Sequence, residues 1–234
     1  MTVLSAMQSA AIRLIGRKPT TFFSSTQGFE QEIVDLANEV AKSIADQHDW
    51  NALLKTYTLT GDGVTTTFPL PSDYDRMLLD GSIYDATNWA WGYQRIVRAD
   101  EFLYLQVRDF SIITPGFWTM LGNEFQFLPA PNDQAQAKFL YVTKNIVRDV
   151  DGNLKENFTT DSDSFVLDER LLTLGLIWRW KEQKKMDAGS DQANFDTLFS
   201  DLSGRDGGSK PIRTPARRWP AGLRLRGAYP WPLG

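Results

Sequence analysis

The spacing of the hydrophobic residues constrains the fold more than any other feature of this sequence. At both ends of the chain they recur every three or four positions, whereas in residues 55–148 they alternate with polar residues or form short runs. The first spacing puts apolar side chains on one face of a helix, and the second puts them on one face of a strand. The sequence therefore predicts an α+β fold, in which the N- and C-terminal segments form a helix bundle around an inserted β-rich section.

Four amphipathic helices are expected outside the β-rich section. Their expected limits are residues 2–15, 29–47, 165–185 and 191–202. Gly189 is expected to end the third helix, and Asp191 to cap the fourth, which Gly204 then ends. The helices on the two sides of the β-rich section would together complete the bundle.

The β-rich section contains strand patterns and turn signals. The expected strands are residues 55–60, 64–70, 77–84, 117–121, 124–128 and 138–147. Gly61-Asp62-Gly63 follows the first strand and Gly122-Asn123 follows the fourth, so the sequence predicts two hairpins. A short helix is expected at residues 99–107.

The last segment of the chain differs in composition from everything before it. Residues 204–234 contain five prolines, seven basic residues and one acidic residue. Their net charge is therefore +6, which leaves −10 for residues 1–203. A segment of this composition cannot build a core of its own, and when extended it would reach about 90 Å. The predicted organisation is residues 1–54 for N-terminal helices, 55–148 for the β-rich insertion, 149–203 for C-terminal helices and 204–234 for an extended tail.

Cationic and aromatic side chains are interleaved along this tail. The candidate partner-binding residues are Arg213, Arg217, Arg218, Trp219, Arg224, Arg226, Tyr229 and Trp231. Such residues can hold nucleic acid through phosphate contacts and base stacking, or they can fill pockets on a protein partner. The acidic body repels nucleic acid and the tail lacks dense lysines, so we favour a protein partner.

Two further groups of aromatic residues are candidates for interfaces. Trp89, Trp91 and Tyr93 alternate as in a strand, and exposed aromatics of this kind favour a contact with a neighbouring subunit or a tail protein. Trp178 and Trp180 lie two positions apart on the third helix and point in nearly opposite directions. Their burial requires either a surrounding core, which we favour, or a neighbouring subunit.

Composition excludes much of catalysis and metal chemistry. The chain has no cysteine and a single histidine, His48, so thiolate nucleophiles, cysteine-based zinc sites and histidine clusters cannot form within one copy. His48 beside Asp49 could suggest a catalytic pair, but no serine lies in a nucleophile elbow, and a histidine at a helix C-terminus is the simpler interpretation. We expect no catalytic site, no cofactor and no metal.

Several aspartates are candidates for metal binding or for stabilising a helix end. Asp149, Asp151 and Asn153 resemble part of a calcium loop, but the glycine is misplaced and no glutamate stands at the twelfth position, which favours a polar turn. Asp161 and Asp163 precede the third helix, where acidic residues suit the positive end of the helix dipole.

Asp73 and Asp75 could serve as the two acids of a hydrolase acting on carbohydrate. Residues two apart on a strand face the same side. However, Pro71 and Tyr74 indicate a turn here, so this alternative is the weakest.

No apolar run approaches the length that spans a bilayer, so no membrane partner is expected. Residues 1–16 lack the basic start, the continuous apolar stretch and the cleavage site of a signal peptide, which predicts synthesis in the cytoplasm.

Three stretches carry a resemblance to a known family. They are Ala45–Trp50 (ADQHDW), the segment from Tyr57 to Met77 with its LPSDYDRM ending, and Leu167–Lys181 followed by the amphipathic helix at 191–202. With these stretches, which cover about two thirds of the chain, the protein resembles the head-to-tail adaptor (connector) proteins of tailed bacteriophages and gene transfer agents.

The resemblance implies a structural virion protein of the neck, made in the host cytoplasm. Its copies would form a dodecameric adaptor ring beneath the portal protein and join the portal to the tail at the head-tail junction. The implied partners are the portal, neighbouring copies, tail or further neck proteins, and the double-stranded DNA that passes during ejection without sequence-specific binding. A C-terminal extension that docks on the portal would match residues 204–234, and the family brings no catalytic residues. The alternative is a nucleic-acid-binding protein that acts through the tail.

Overall fold

The computed structural model describes residues 2–78, 81–85, 89–108 and 116–207, without the side chains of residues 89–92. The helices are α1 Val3–Ile15, α2 Gly28–Asp46, α3 Ala99–Val107, α4 Glu169–Gln183 and α5 Gly189–Asp206. The strands are β1 Leu54–Thr60, β2 Thr67–Pro69, β3 Tyr74–Met77, β4 Ile83–Asp85, β5 Trp89–Arg95, β6 Phe117–Leu121, β7 Glu124–Leu128, β8 Gln136–Thr143, β9 Val147–Arg148, β10 Leu154–Lys155 and β11 Ser164–Phe165. The chain is therefore an α+β protein with five described helices and a large sheet.

One compact unit, the helical unit, consists of residues 2–54 together with 142–207. Helices α1, α2 and α5 each pack against α4. Gly175 of α4 permits the closest approach, because a Cβ atom there would lie 2.5 Å from Cγ1 of Val40 and 3.3 Å from the ring of Phe195. A small sheet, in which β9 pairs with β10 and β11, also belongs to this unit, so residues 142–148 pack with the helices instead of with the β-rich section.

The ends of α4 and α5 correct three details of the sequence prediction. Asp168 caps α4, as its side chain accepts a hydrogen bond from the backbone of Leu171. Gly189 does not end α4 but begins α5, and Gly204 lies inside α5 instead of ending it. Asp191 does not cap α5, because the helix begins two residues earlier; Asp191 lies in the first turn and forms an ion pair with Lys181 at 2.5 Å. The pairing with a lysine of the preceding helix is a tertiary contact that the local pattern does not encode.

The second compact unit, the β unit, covers residues 55–141. Its strands follow the order β1-β8-β4-β5-β6-β7-β2, and β3 also pairs with β8. Strands β5 and β6 are parallel and α3 connects them, whereas β6 and β7 form the predicted antiparallel hairpin. At its turn Gly122 and Asn123 both adopt a positive φ, of 60° and 64°, as a two-residue hairpin loop of this type requires.

The other predicted hairpin, across Gly61-Asp62-Gly63, is wrong. Strand β1 lies next to β8, whereas β2 pairs with β7 at the opposite end of the sheet order. The turn instead binds to the loop at 131–135, where the backbone N–H of Gly61 donates to Ala135 O at 2.8 Å. The predicted strands at 77–84 and 138–147 are likewise divided, the first between β3 and β4 and the second between β8 and β9.

Aromatic side chains fill the core of the β unit. The buried members are Leu59, Ile83, Tyr93, Trp118, Phe125, Phe127, Ala137, Phe139 and Tyr141. Phe125 is central, with its ring centroid 4.6 Å from that of Phe139 and 5.8 Å from that of Trp118. Among the described residues, no helix is long and apolar enough to cross a membrane.

Candidate partner-binding surfaces

The tail residues that we predict to bind a partner lie outside the described residues. They are Arg213, Arg217, Arg218, Trp219, Arg224, Arg226, Tyr229 and Trp231. The structure does describe the residues that precede this segment, since α5 continues to Asp206. The tail thus begins three residues later than the sequence indicates.

Asp206, the last residue of α5, is held by the segment that follows α2. Its carboxylate accepts a hydrogen bond from the backbone N–H of Asn51 at 2.8 Å and lies 3.5 Å from Nε2 of His48. The side-chain amide of Asn51 also donates to the carbonyl oxygen of Asp206. We call His48, Trp50, Asn51, Phe199 and Asp206 the tail anchor.

Trp50 fixes the tail anchor to the core of the helical unit. It is only 5% exposed, and its Nε1 donates to Ile44 O at 2.9 Å. Its ring contacts that of His48 at 4.8 Å and that of Phe199 at 5.7 Å between centroids. His48 therefore helps to position the end of α5, a role that its place at the end of a helix does not by itself predict.

The structure separates the three aromatic residues of β5. Tyr93 is 2% exposed and packs edge-on against Phe127 at 5.1 Å between centroids. Its hydroxyl lies 3.5 Å from the carboxylate of buried Asp85. Tyr93 is thus a core residue and offers no surface to a partner, contrary to the interface expected from its spacing. The side chains of Trp89 and Trp91 lie outside the description.

Trp178 and Trp180 find their partners within the helical unit. The ring of Trp180 contacts Phe29 of α2 at 5.9 Å, and its Nε1 donates to Glu32 at 3.3 Å. The ring of Trp178 contacts Phe195 of α5 at 5.9 Å. Because α4 lies between α2 and α5, two tryptophans on its opposite sides are each partly buried against a neighbouring helix of the same unit.

The two aspartates considered for hydrolysis are engaged by different partners. Asp73 forms an ion pair with Lys55 at 2.6 Å and accepts a hydrogen bond from the Tyr141 hydroxyl at 2.8 Å. Burial, together with this bond to Asp73, raises the pKa of Tyr141 far above its usual range. Asp75 pairs with Arg76 at 2.7 Å. Contacts of this kind are typical of carboxylates with a structural role. Because Asp73 and Asp75 have different partners, they do not form the pair of acids that the hydrolase alternative requires.

The remaining aspartates hold loops of the helical unit. Asp149 accepts hydrogen bonds from the backbone N–H groups of Asp151 and Asn153, at 2.9 and 2.8 Å, and so forms the polar turn. Asp161 accepts from the backbone of Phe22 at 3.0 Å. The prediction that Asp161 and Asp163 stabilise the dipole of α4 is wrong, because the helix begins only at Glu169. No group of three or more potential metal ligands occurs within the described ranges.

Asp163 is fully buried and forms the most extensive of these contacts. It pairs with Lys155 at 2.8 Å and accepts from the backbone N–H groups of Thr159 and Thr160 at 2.7 and 2.9 Å. Burial raises the pKa of Asp163, but the hydrogen bonds from Lys155 and the two threonines outweigh it and lower that pKa overall. The carboxylate therefore stabilises the loop before β11 in its ionised form.

Two apolar surfaces of the β unit were not anticipated from the sequence. The first, the α3 face, consists of Val97, Leu103, Tyr104 and Val107, all more than half exposed. The second, the β4–β8 groove, is a concave surface of about 300 Å³ whose lining includes Leu78, Tyr84, Lys138 and Leu140. The signal for the first was present in the residues 101–107 (EFLYLQV), where apolar side chains occupy more of the helix than one buried face requires.

Comparison with known proteins gives one family. The model of the family described as SU10 adaptor protein matches residues 1–225, which is nearly the whole chain. No curated protein matches the chain. The family match agrees with the resemblance carried by the ADQHDW, LPSDYDRM and α4 segments. The chain therefore belongs to the SU10 adaptor family, a family of phage head-tail adaptor proteins.

Proposed function

We propose that copies of this chain form a dodecameric ring beneath the portal of a tailed phage. The ring joins the portal to the tail or to further neck proteins and lets double-stranded DNA pass during ejection. In this proposal α1, α2, α4 and α5 serve as the helix bundle of each subunit, the tail docks on the portal, and no residue is catalytic. The observation that carries the proposal is the family match, which supports a structural role in the virion.

The extent of the family match supports a role for the tail. The match continues to residue 225, well beyond the end of α5 at Asp206. It therefore includes five of the eight predicted docking residues, namely Arg213, Arg217, Arg218, Trp219 and Arg224. The tail anchor adds a mechanical argument, since a segment that transmits force to a partner needs a fixed point of departure, and Asp206 supplies one.

The distribution of charge supports passage of DNA without retention. Residues 1–203 carry a net charge of −10, and like charge weakens association with the phosphate backbone. A tail contact repeated in every subunit of a closed ring would add up through avidity, so each single contact can be weak.

Electron microscopy of the chain mixed with the portal ring of the same phage tests this proposal. The full chain is compared with a variant that ends at Gly207, which retains the Asp206 contacts of the tail anchor. We expect the full chain to add a ring of density beneath the portal and the shortened chain to add none. Absence of the ring with the full chain would refute the proposal, and a ring with both chains would refute the role of the tail.

A triple variant tests the tail without shortening it. Arg217→Ala, Arg218→Ala and Trp219→Ala should together lower the yield of tailed particles while the chain stays folded, since arginine and tryptophan dominate binding energy at interfaces. The matched control is Lys18→Ala with Lys42→Ala, which removes the same charge from exposed positions of the helical unit. An equal yield from the triple variant and the control would contradict a docking role for these residues.

The second candidate function, binding of nucleic acid through the tail, is favoured by its net charge of +6 and its interleaved aromatics. It predicts an affinity for duplex DNA that falls steeply with added salt and that is lost in the chain ending at Gly207. A DNA affinity that is weak at low salt and unaffected by the truncation would eliminate it.

A further inference from the structure

The α3 face is an exposed apolar surface, on which the guanidinium of Arg108 lies 5.0 Å from the ring centroid of Tyr104. Phe102 is 1% exposed and attaches α3 to the β unit, whereas Leu103, Tyr104 and Val107 remain 57%, 53% and 76% exposed. These three residues lie at positions i, i+1 and i+4 and thus on one side of the helix. Val97, two residues before the start of α3, is 81% exposed and adds a further apolar side chain. Leaving several large apolar side chains together in water is unfavourable, and such patches mark interaction sites.

The β4–β8 groove is the second surface of this kind. Tyr84 and Lys138 lie directly opposite each other on antiparallel strands, so their side chains share one face of the sheet. Leu140, two residues further along β8, lies on that face as well. Tyr84 and Leu140 are 57% and 43% exposed, and both line the concave β4–β8 groove.

The two surfaces are complementary in shape, and each has at its edge one charge, unpaired within the described ranges, that is opposite to the other's. One is a convex helix and the other is a concave sheet face. Glu101 is an exposed residue of α3, and Lys138 is an exposed residue of the groove. Among the described residues, neither of these two charges forms an ion pair. A contact between the surfaces would bury the apolar side chains and place a carboxylate near an ammonium group.

The two surfaces lie on different parts of one unit. Helix α3 connects β5 to β6, whereas the groove lies over β4 and β8. A closed ring requires a heterologous interface, in which one patch of each subunit meets a different patch of the next. Two different complementary patches on the same chain satisfy that requirement, whereas a single self-complementary patch would give only a dimer.

We infer that the α3 face of one copy docks into the β4–β8 groove of the next copy, with Glu101 near Lys138 of the neighbour. The inference rests on the proposed function, since it assigns the contact between neighbouring subunits of that ring. Leu103, Tyr104 and Val107 then supply the apolar core of the contact, against Tyr84 and Leu140. Glu101 and Lys138 lie at its rim and set the register.

The absence of cysteine from the chain permits a direct test. The double variant Glu101→Cys, Lys138→Cys is treated with a short thiol-reactive crosslinker, both alone at high concentration and bound to the portal. We expect a ladder of covalent oligomers that continues beyond the dimer, because each copy carries both halves of the contact. Each single variant should give no ladder. A matched double variant, Val64→Cys with Val150→Cys, places thiols at two other exposed positions, and it should give no ladder either.

A charge exchange provides an independent measurement. Glu101→Lys alone and Lys138→Glu alone should each weaken assembly, by about five-fold for an exposed ion pair, and the two changes combined should restore it. Single variants that assemble as well as the natural chain and a double-cysteine variant without a ladder would together overturn the inference.

The outcomes distinguish this inference from the proposed function. If the full chain adds a ring to the portal but the double-cysteine variant in that ring yields no ladder, the ring stands and the assigned contact is wrong. If the ladder forms but no ring appears on the portal, the contact between copies is supported and the portal role fails.

Discussion

The helical unit and the β unit differ in the side chains at their closest internal contacts. In the helical unit, small residues allow helices to approach closely; those buried are Ala6, Ala10, Ala11, Ala37, Ala41, Ala45 and Gly175. In the β unit, the core is filled by large rings, among them Trp118, Phe125, Phe127 and Phe139, all at most 2% exposed. Helices that touch through small side chains leave no room for added atoms, whereas a ring-filled core leaves a large cavity when a ring is removed. The two units should therefore respond differently to changes in side-chain volume.

Removal of a ring from the β unit should have the largest effect. Phe125 is fully buried among other aromatics, so Phe125→Ala should lower the free energy of unfolding by about 3 to 5 kcal/mol. Urea unfolding followed by near-ultraviolet circular dichroism measures this loss. Val64→Ala, at a residue 82% exposed, is the control and should change stability by less than about 0.5 kcal/mol. A loss below about 1 kcal/mol for Phe125→Ala would contradict the account of a ring-filled core.

The next effect concerns Asp163, a buried charge of the helical unit that also accepts hydrogen bonds from the backbone of its loop. Asp163→Asn removes the charge that pairs with Lys155, and it should cost about 2 to 3 kcal/mol at neutral pH. The folded-state pKa of Asp163 lies below its ordinary value of 3.8, so this stability is present above that value and is lost as the pH falls through the lowered pKa. The difference between the natural chain and the variant should therefore shrink in acid. Urea unfolding at several pH values would detect it, and a constant difference would contradict this role.

Addition of a single methyl group should destabilise the helical unit where its helices touch. In Gly175→Ala the new Cβ would lie 2.5 Å from Cγ1 of Val40, so the side chain of Val40 or the backbone of α2 must shift. We expect a loss of about 1 to 2 kcal/mol, although alanine favours helix more than glycine does. Thermal unfolding measures the change, and an increase in stability would show that the helices are not closely packed here.

The smallest expected effect has the opposite sign. Gly204 lies in α5, and a Cβ there would meet nothing within 4 Å. Gly204→Ala should therefore stabilise the chain by about 0.5 to 1 kcal/mol through helix propensity alone. This variant is the control for Gly175→Ala, since both add a methyl group to a helix and only the one at Gly175 would meet a neighbouring side chain. If both substitutions destabilise, the explanation from packing at Gly175 fails.

The same two units differ in how far the sequence predicts them. The helices follow from local spacing, and the predicted segments for α1 and α2 agree with the structure to within two residues. Strand partners are not local. The alternation in residues 55–70 predicts extended chain there, but it carries no information that β2 pairs with β7 at a distance of nearly sixty residues. Only the hairpin of β6 and β7 was predictable, because Gly122-Asn123 specifies the turn itself.

The candidate surfaces show the same limit. Tyr93 has the spacing of an interface residue, yet it is buried, since strand alternation does not tell which face meets the core. The tail anchor joins His48 and Asn51 to Asp206, which are more than 150 residues apart, and nothing in the local pattern of either segment indicates the contact. The docking residues of the tail follow from composition alone and stay a prediction.

Native mass spectrometry of the portal ring with an excess of this chain tests the central claim most directly. The account predicts that the full chain adds the mass of one dodecameric ring and that the chain ending at Gly207 adds none. A portal mass unchanged by the full chain, or an equal gain from both chains, would contradict it.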